Sequence, residues 1–80
     1  MATPADFPRV SGNQQKARYS DRRAILDREL ATELQHADKA RKALQDAGSQ
    51  PPDRLQPLRA TLALHERNVE SLKKELGNLR

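Results

Sequence analysis

The sequence predicts an all-α fold: an antiparallel two-helix coiled-coil hairpin that dimerises into a four-helix bundle. Three observations lead to this fold class. Apolar residues recur at alternating steps of three and four from Leu55 to Leu79, with His65 as the one polar exception, and this spacing winds an apolar seam onto another helix. A stretch rich in helix breakers, GSQPPD, separates two long segments of helical composition. Charged residues make up 32% of the chain, aromatic residues are almost absent and Cys is absent, so neither a bulky core nor a disulfide can hold the fold.

The first helix is expected at residues 12–47, after an extended or disordered arm at residues 1–11. Two prolines disfavour a helix in the arm, because each biases the preceding residue away from the α region. Ser11 and Gln14 have the spacing of a capping box, which satisfies N–H groups at the start of a helix. Gly48 is predicted to end the helix, because glycine takes the positive φ of a C′ residue without a Cβ clash.

The second helix is expected at residues 54–79, after a hinge at residues 48–53. Two adjacent prolines stiffen the hinge and prevent the first helix from continuing. Asp53 is predicted to cap the second helix, with Gln56 at the capping-box position. Pro57 also suits the first helical position, where an N–H group has no partner to lose, so the start is left open between residues 53 and 57.

A single antiparallel register brings the apolar positions of both helices together. Folding the chain back at the hinge pairs Ala47 with Leu55 and continues in matched steps to the pair Leu26 and Leu76, with small residues facing large ones near the hinge. The predicted interaction seam consists of Leu26, Leu30, Leu44, Leu58, Leu62, His65, Val69, Leu72 and Leu76. Further apolar residues lie off the seam, namely Ile25, Leu34, Ala60 and Leu64. A single hairpin would leave them exposed, so we expect a second copy or a larger assembly to cover them.

Two histidines, His36 and His65, fall within about one layer of each other in this register. A metal site would need further ligands, for which Glu33 and Asn68 are near enough, but two imidazoles without thiolates are a thin set for a structural site. We therefore interpret His65 as a polar seam residue that fixes the register and His36 as its solvated neighbour, and we predict no metal and no cofactor. A milder alternative is pH-sensitive pairing, because a buried charged histidine would oppose association.

The sequence contains no catalytic motif. Neighbouring carboxylates such as Glu29 and Glu33, or Glu66 and Glu70, would have to lie in a cleft with displaced pKa values, and a two-helix hairpin is not expected to form a cleft. No serine has a histidine and an acid at suitable spacing, and the glycines form no phosphate-binding loop. We therefore expect a non-enzymatic structural or protein-interaction module that acts through helix–helix packing.

The charge distribution offers an alternative function. The 15 Lys and Arg residues exceed the 11 Asp and Glu residues, and the excess is concentrated before residue 24. A small basic nucleic-acid-binding protein would use the arm and the start of the first helix, with phosphate contacts from Lys16, Arg18, Arg22 and Arg23. Tyr19 is the one aromatic residue among them and Asp21 interrupts the charge, so the interaction module is preferred. No apolar run reaches the roughly 18 residues of a transmembrane helix.

Two stretches, DFPRVSGNQQKARYSDRRAILDREL and LALHERNVESLKKELGNLR, resemble the C-terminal helical region of a family of bacterial envelope proteins. Those proteins carry a signal peptide and a small N-terminal domain of unknown function. The resemblance runs from Asp6 to Arg80, and its most distinctive parts are FPRV and DRRAIL, although family members usually have Asp at the position of Tyr19. It implies a periplasmic or envelope location and no catalytic residues, whereas the chain as given carries no secretory signal and would be cytoplasmic if it is the whole protein.

Overall fold

The computed structural model of the chain describes residues 12–79, which form two α-helices joined by a short turn. α1 spans Gly12–Ala47 and α2 spans Pro52–Gly77, and the two helices pack side by side as an antiparallel hairpin. The all-α hairpin that the sequence predicts is therefore confirmed. The predicted arm, and with it the cap by Ser11, lies outside the described residues.

The turn between the helices is built around Gly48. This residue has a φ of 54°, in the left-handed region where a glycine is favoured. Its N–H donates to the carbonyl of Gln45 at 3.1 Å, and the N–H of Gln50 donates to the carbonyl of Ala47 at 3.1 Å. These bonds satisfy carbonyls of the last turn of α1, which have no partner within the helix. The predicted role of Gly48 as the residue that ends α1 is confirmed.

α2 begins earlier than the sequence indicates. The helix was expected to start between residues 53 and 57 with Asp53 as its cap, but Pro51 is the cap residue and Pro52 is the first helical residue. Proline suits that first position because its fixed φ is already helical and its missing N–H has no partner there. Pro51 has an extended ψ of 152°, as expected for a residue that precedes a proline. Asp53 instead lies in the first turn, where its charge favours the helix dipole.

The end of α2 and the position of Pro57 also differ from the expectation. Pro57 lies inside the helix, where its missing N–H removes one hydrogen bond to the carbonyl of Asp53. The helix ends at Gly77 rather than at residue 79, and the N–H of Asn78 donates to carbonyls of the last turn. The early start therefore costs α2 one internal hydrogen bond, because it places Pro57 beyond the first turn in which a proline is tolerated.

The core is a narrow line of side chains between the two helices. Among the described residues, the buried apolar side chains are Leu26, Ala37, Ala40, Leu55 and Val69. The other leucines of the predicted seam are half-buried, namely Leu30, Leu44, Leu58, Leu62, Leu72 and Leu76. Two helices alone leave each of these side chains open to water on one flank, so most of the seam is only partly removed from solvent.

Three large apolar side chains remain on the surface of the hairpin. Ile25 is 54% exposed, Leu34 is 44% exposed and Leu64 is 48% exposed. Ala60, the fourth residue expected off the seam, is exposed as well. Neither described helix contains an apolar stretch long enough to cross a membrane.

Candidate functional site

A group of polar side chains interrupts the apolar seam halfway along the hairpin. Nδ1 of His65, on α2, lies 2.5 Å from Oε2 of Glu33, on α1. The imidazole is the donor in this bond, because a carboxylate can only accept. The Glu33 and His65 side chains are 21% and 20% exposed, so the pair is largely withdrawn from water. We call Glu33, His36, His65 and Asn68 the histidine cluster.

The cluster has this composition because each helix places two polar residues one turn apart. Glu33 and His36 are three residues apart on α1, and His65 and Asn68 are three apart on α2, so the members of each pair lie on neighbouring turns. Glu33 and His65 also stand at positions where the periodic pattern calls for an apolar residue. The register of the hairpin therefore turns both of them toward the partner helix.

The histidine cluster holds Glu33 in its ionised form. The pKa of Glu33 lies below the ordinary glutamate value of 4.5, chiefly because the hydrogen bond from His65 stabilises the carboxylate. Partial burial acts in the opposite direction, while a hydrogen bond from Asn68 and the charges of both imidazoles lower the pKa further. A carboxyl group with a lowered pKa stays charged at neutral pH, which makes Glu33 unsuited to be a general acid or base there.

His36 completes the cluster at its solvent side. Its ring centroid lies 4.9 Å from that of His65, and the two ring planes are tilted by 59°. His36 is exposed, as the sequence predicts for a solvated neighbour of His65. One nitrogen of each imidazole and one carboxylate oxygen of Glu33 all lie within 4.8 Å of one another. Three groups that can each donate an electron pair to a cation therefore converge at one point.

A groove runs along the same side of the hairpin, beside the cluster. Its volume is about 550 Å³, and the residues that line it include Ile25, Glu29, Thr32, Glu33, Asn68, Ser71 and Leu72. The expectation that a two-helix hairpin offers no cleft is therefore wrong, because the half-buried seam leaves a channel between the helix flanks. Among the residues that line the groove, Glu33 has a pKa that is displaced downward.

The basic residues proposed for nucleic-acid contact are divided by the structure. Arg18 and Arg22 line a shallow hollow together with Tyr19, near the end of α2. Arg23 does not line the hollow, but its guanidinium donates to the Tyr19 hydroxyl at 3.5 Å and lies 3.8 Å from a carboxylate oxygen of Asp27. Lys16 is exposed. Two of the four cations thus share one site with the aromatic ring, and a third is paired with an acid.

Comparisons with known proteins find no matching family model, no matching curated protein and no matching solved structure for this chain.

The sequence places the members of the histidine cluster near one another but does not reveal the bond at its centre. Glu33 was expected only as a possible further metal ligand, and His65 as a polar residue of the seam. The sequence does contain a signal for this bond. Each helix carries one polar residue at a position where the heptad pattern expects an apolar one, and the predicted register brings these two positions within about one helical turn of each other. Two such residues are expected to form a hydrogen bond with each other, because a charged side chain withdrawn from water without a partner is unfavourable.

Proposed function

We propose that this chain is a structural interaction module that binds a second copy of itself through helix–helix packing, giving a four-helix coiled-coil bundle. One observation carries the proposal: large apolar side chains that lie off the seam remain about half exposed on the hairpin. Exposed apolar side chains that share one side of a small protein are typical of an interaction surface. The partner must supply apolar side chains of its own, and a second copy offers the same ones.

The small core of the hairpin supports association. Five apolar residues are buried in the described part of the chain, and two of them are alanines, which contribute little apolar area. A chain of this size buries too little surface to be secure on its own, and oligomerisation is one of the usual remedies. Packing a second hairpin onto the first would cover the half-buried leucines of the seam from their open flank.

The groove side is the face we assign to the second copy. Ile25 lines the groove directly. Leu64 stands four residues before Asn68, which also lines the groove, so it lies on the same side of α2. Leu34 lies on the other side of α1. Thr32 and Leu34 are on opposite sides of Glu33 around the helix axis, and it is Thr32 that lines the groove.

Two matched variants test this assignment. Leu64→Ser and Leu34→Ser make the same chemical change at residues of nearly equal exposure, 48% and 44%. Sedimentation equilibrium should give twice the 9.0 kDa chain mass for the wild type. In a symmetric dimer, Leu64→Ser removes two half-buried contacts worth about 2 kcal/mol together, which is roughly a thirtyfold weaker dimer. Leu34→Ser should leave the dimer intact.

Two results would reject the proposal. A wild-type chain that remains a 9.0 kDa monomer across the accessible concentration range would exclude self-association. Equal weakening by Leu64→Ser and Leu34→Ser would exclude the groove side as the interface. Circular dichroism of both variants separates loss of association from loss of the helices.

Nucleic-acid binding is the second candidate, favoured by the hollow in which Arg18 and Arg22 meet Tyr19. Two cations beside an aromatic ring can hold a phosphate while a base stacks. The test is anisotropy of labelled single- and double-stranded nucleic acid at several salt concentrations, because phosphate neutralisation makes affinity fall steeply with salt. Loss of binding in an Arg18→Ala, Arg22→Ala variant, but not in an Arg59→Ala, Arg67→Ala control, would establish this function. Absence of binding at physiological salt is the expected result.

A cell-envelope location is proposed on the resemblance of residues 6–80 to the helical region of bacterial envelope proteins. A self-associating hairpin fits such a role, because helical bundles commonly hold larger proteins together without carrying chemistry of their own. Fractionation of the native cells with an antibody against the chain would decide between envelope and cytoplasm.

A further inference from the structure

We propose that Glu33, His36 and His65 bind one divalent transition-metal ion of the zinc type. The three residues come from both helices, two from α1 and one from α2. Their candidate ligand atoms already lie within 4.8 Å of one another. An ion bound there would connect the two helices at the middle of the hairpin, away from the turn that joins them at one end.

The donor set selects the class of metal. Two imidazole nitrogens and one carboxylate oxygen are ligands that Zn²⁺ accepts, with a water in the fourth position. Imidazole also suits Cu²⁺ and Ni²⁺, whereas Mg²⁺ and Ca²⁺ prefer sites made of oxygen ligands alone. The site should therefore discriminate strongly between Zn²⁺ and Mg²⁺.

The distances require only a small adjustment. Ligand atoms about 2.0–2.2 Å from a tetrahedral Zn²⁺ lie about 3.3–3.6 Å from each other. Nδ1 of His65 and Oε2 of Glu33 are at 2.5 Å because a proton lies between them, and they would separate when the ion replaces that proton. His36 is exposed, so its ring can turn toward the ion by side-chain rotation without repacking the seam.

The surroundings support a bound ion in two ways. Asn68 acts as a hydrogen-bond donor that lowers the pKa of Glu33, and it would help to orient that ligand, as outer partners of metal ligands commonly do. A shallow hollow lined by His36, His65 and Thr61 opens to solvent, which provides an entry path and room for the water ligand. Lys39 borders the same hollow, and its positive charge would oppose the ion.

The test is a Zn²⁺ titration of the full chain by calorimetry, followed by thermal unfolding with and without the ion. We expect one Zn²⁺ per chain and a higher unfolding temperature, because a ligand that binds only the folded state stabilises it. His36→Asn and His65→Asn should each weaken binding more than about 100-fold, and Asn68→Ala about tenfold, the range seen when outer partners of metal ligands are removed. Co²⁺ should give the visible absorption of a four-coordinate site in the wild type but not in the two histidine variants.

Three controls make the test decisive. Glu29→Gln changes a carboxylate on the same groove, one turn from Glu33, and should leave the affinity for Zn²⁺ unchanged. Mg²⁺ should produce no stabilisation. The Leu64→Ser variant, in which we expect a roughly thirtyfold weaker dimer, should still bind one Zn²⁺ per chain when it is diluted to the monomer, so the result does not depend on self-association. Absence of Zn²⁺ binding, affinity that survives His36→Asn or His65→Asn in helical variants, or one ion per two chains would overturn the proposal.

Discussion

Truncation of one buried leucine provides the most direct test of the hairpin packing. Leu26→Ala and Leu34→Ala remove the same three carbon atoms from the same helix, so the change in helix propensity is identical in both variants. The surroundings differ, because Leu26 is 6% exposed and Leu34 is 44% exposed. At about 0.8 kcal/mol per buried carbon group, the losses are about 2.3 kcal/mol for Leu26→Ala and about 1.3 kcal/mol for Leu34→Ala.

The informative quantity is the difference between the two variants, because unfolded chains already bury part of their apolar surface and this reduces both losses. The cavity left at Leu26 should add little, because a two-helix seam is open at its flank and can close around the gap.

Urea unfolding followed by far-UV circular dichroism measures both variants, at a single protein concentration because association contributes to stability. The expected result is that Leu26→Ala lowers the free energy of unfolding about twice as much as Leu34→Ala. Equal losses, or a larger loss at Leu34, would show that Leu26 does not lie in the core and that α1 presents a different face to α2.

Two further predictions concern the glycines and the histidine cluster. Gly48→Ala should destabilise the hairpin by about 1 kcal/mol, because φ is 54° at this residue. Gly77→Ala should stabilise the hairpin by about 0.5 kcal/mol, because Gly77 is helical and a Cβ there would meet no atom within 4 Å. Thermal unfolding of the two variants compares these effects. Glu33→Gln should be less stable than the wild type above pH 4.5 in the presence of a chelator, because the lowered pKa of Glu33 stabilises the fold when the carboxyl is ionised. That difference should shrink as the pH falls from 4.5 through the folded pKa, and a difference that stays constant through the acid range would contradict the assigned bond to His65.

Sequence was sufficient for the features that depend on the backbone alone. The end of α1 followed from Gly48, because only a residue that tolerates positive φ ends a helix in this way at low cost. The start of α2 was less well predicted, since Pro52, Asp53 and Pro57 all suit the first turn. Each of these residues satisfies a different requirement of a helix start, and the pattern alone does not rank them.

The histidine cluster depended on side-chain direction, which residue spacing does not give. In the predicted register His65 stands opposite Ala37 and Glu33 stands opposite Val69, so the two polar residues appear as separate exceptions. In the structure they meet diagonally, because the Glu33 side chain is long enough to reach the layer of His65. The groove beside them was missed for a related reason, since its existence depends on how far the flanking side chains extend.

The polar bond at the centre of the seam also bears on why this chain adopts one register. Leucine layers repeat every seven residues, so a slip of one heptad would still place apolar residues against apolar residues. The same slip would move His65 about two helical turns away from Glu33, about 10 Å along the axis. Glu33 would then face the seam without a donor, which is unfavourable for an ionised group. The bond between Glu33 and His65 thus distinguishes one register from those that the leucines alone would permit, and it does so with the residues that the apolar pattern marks as exceptions.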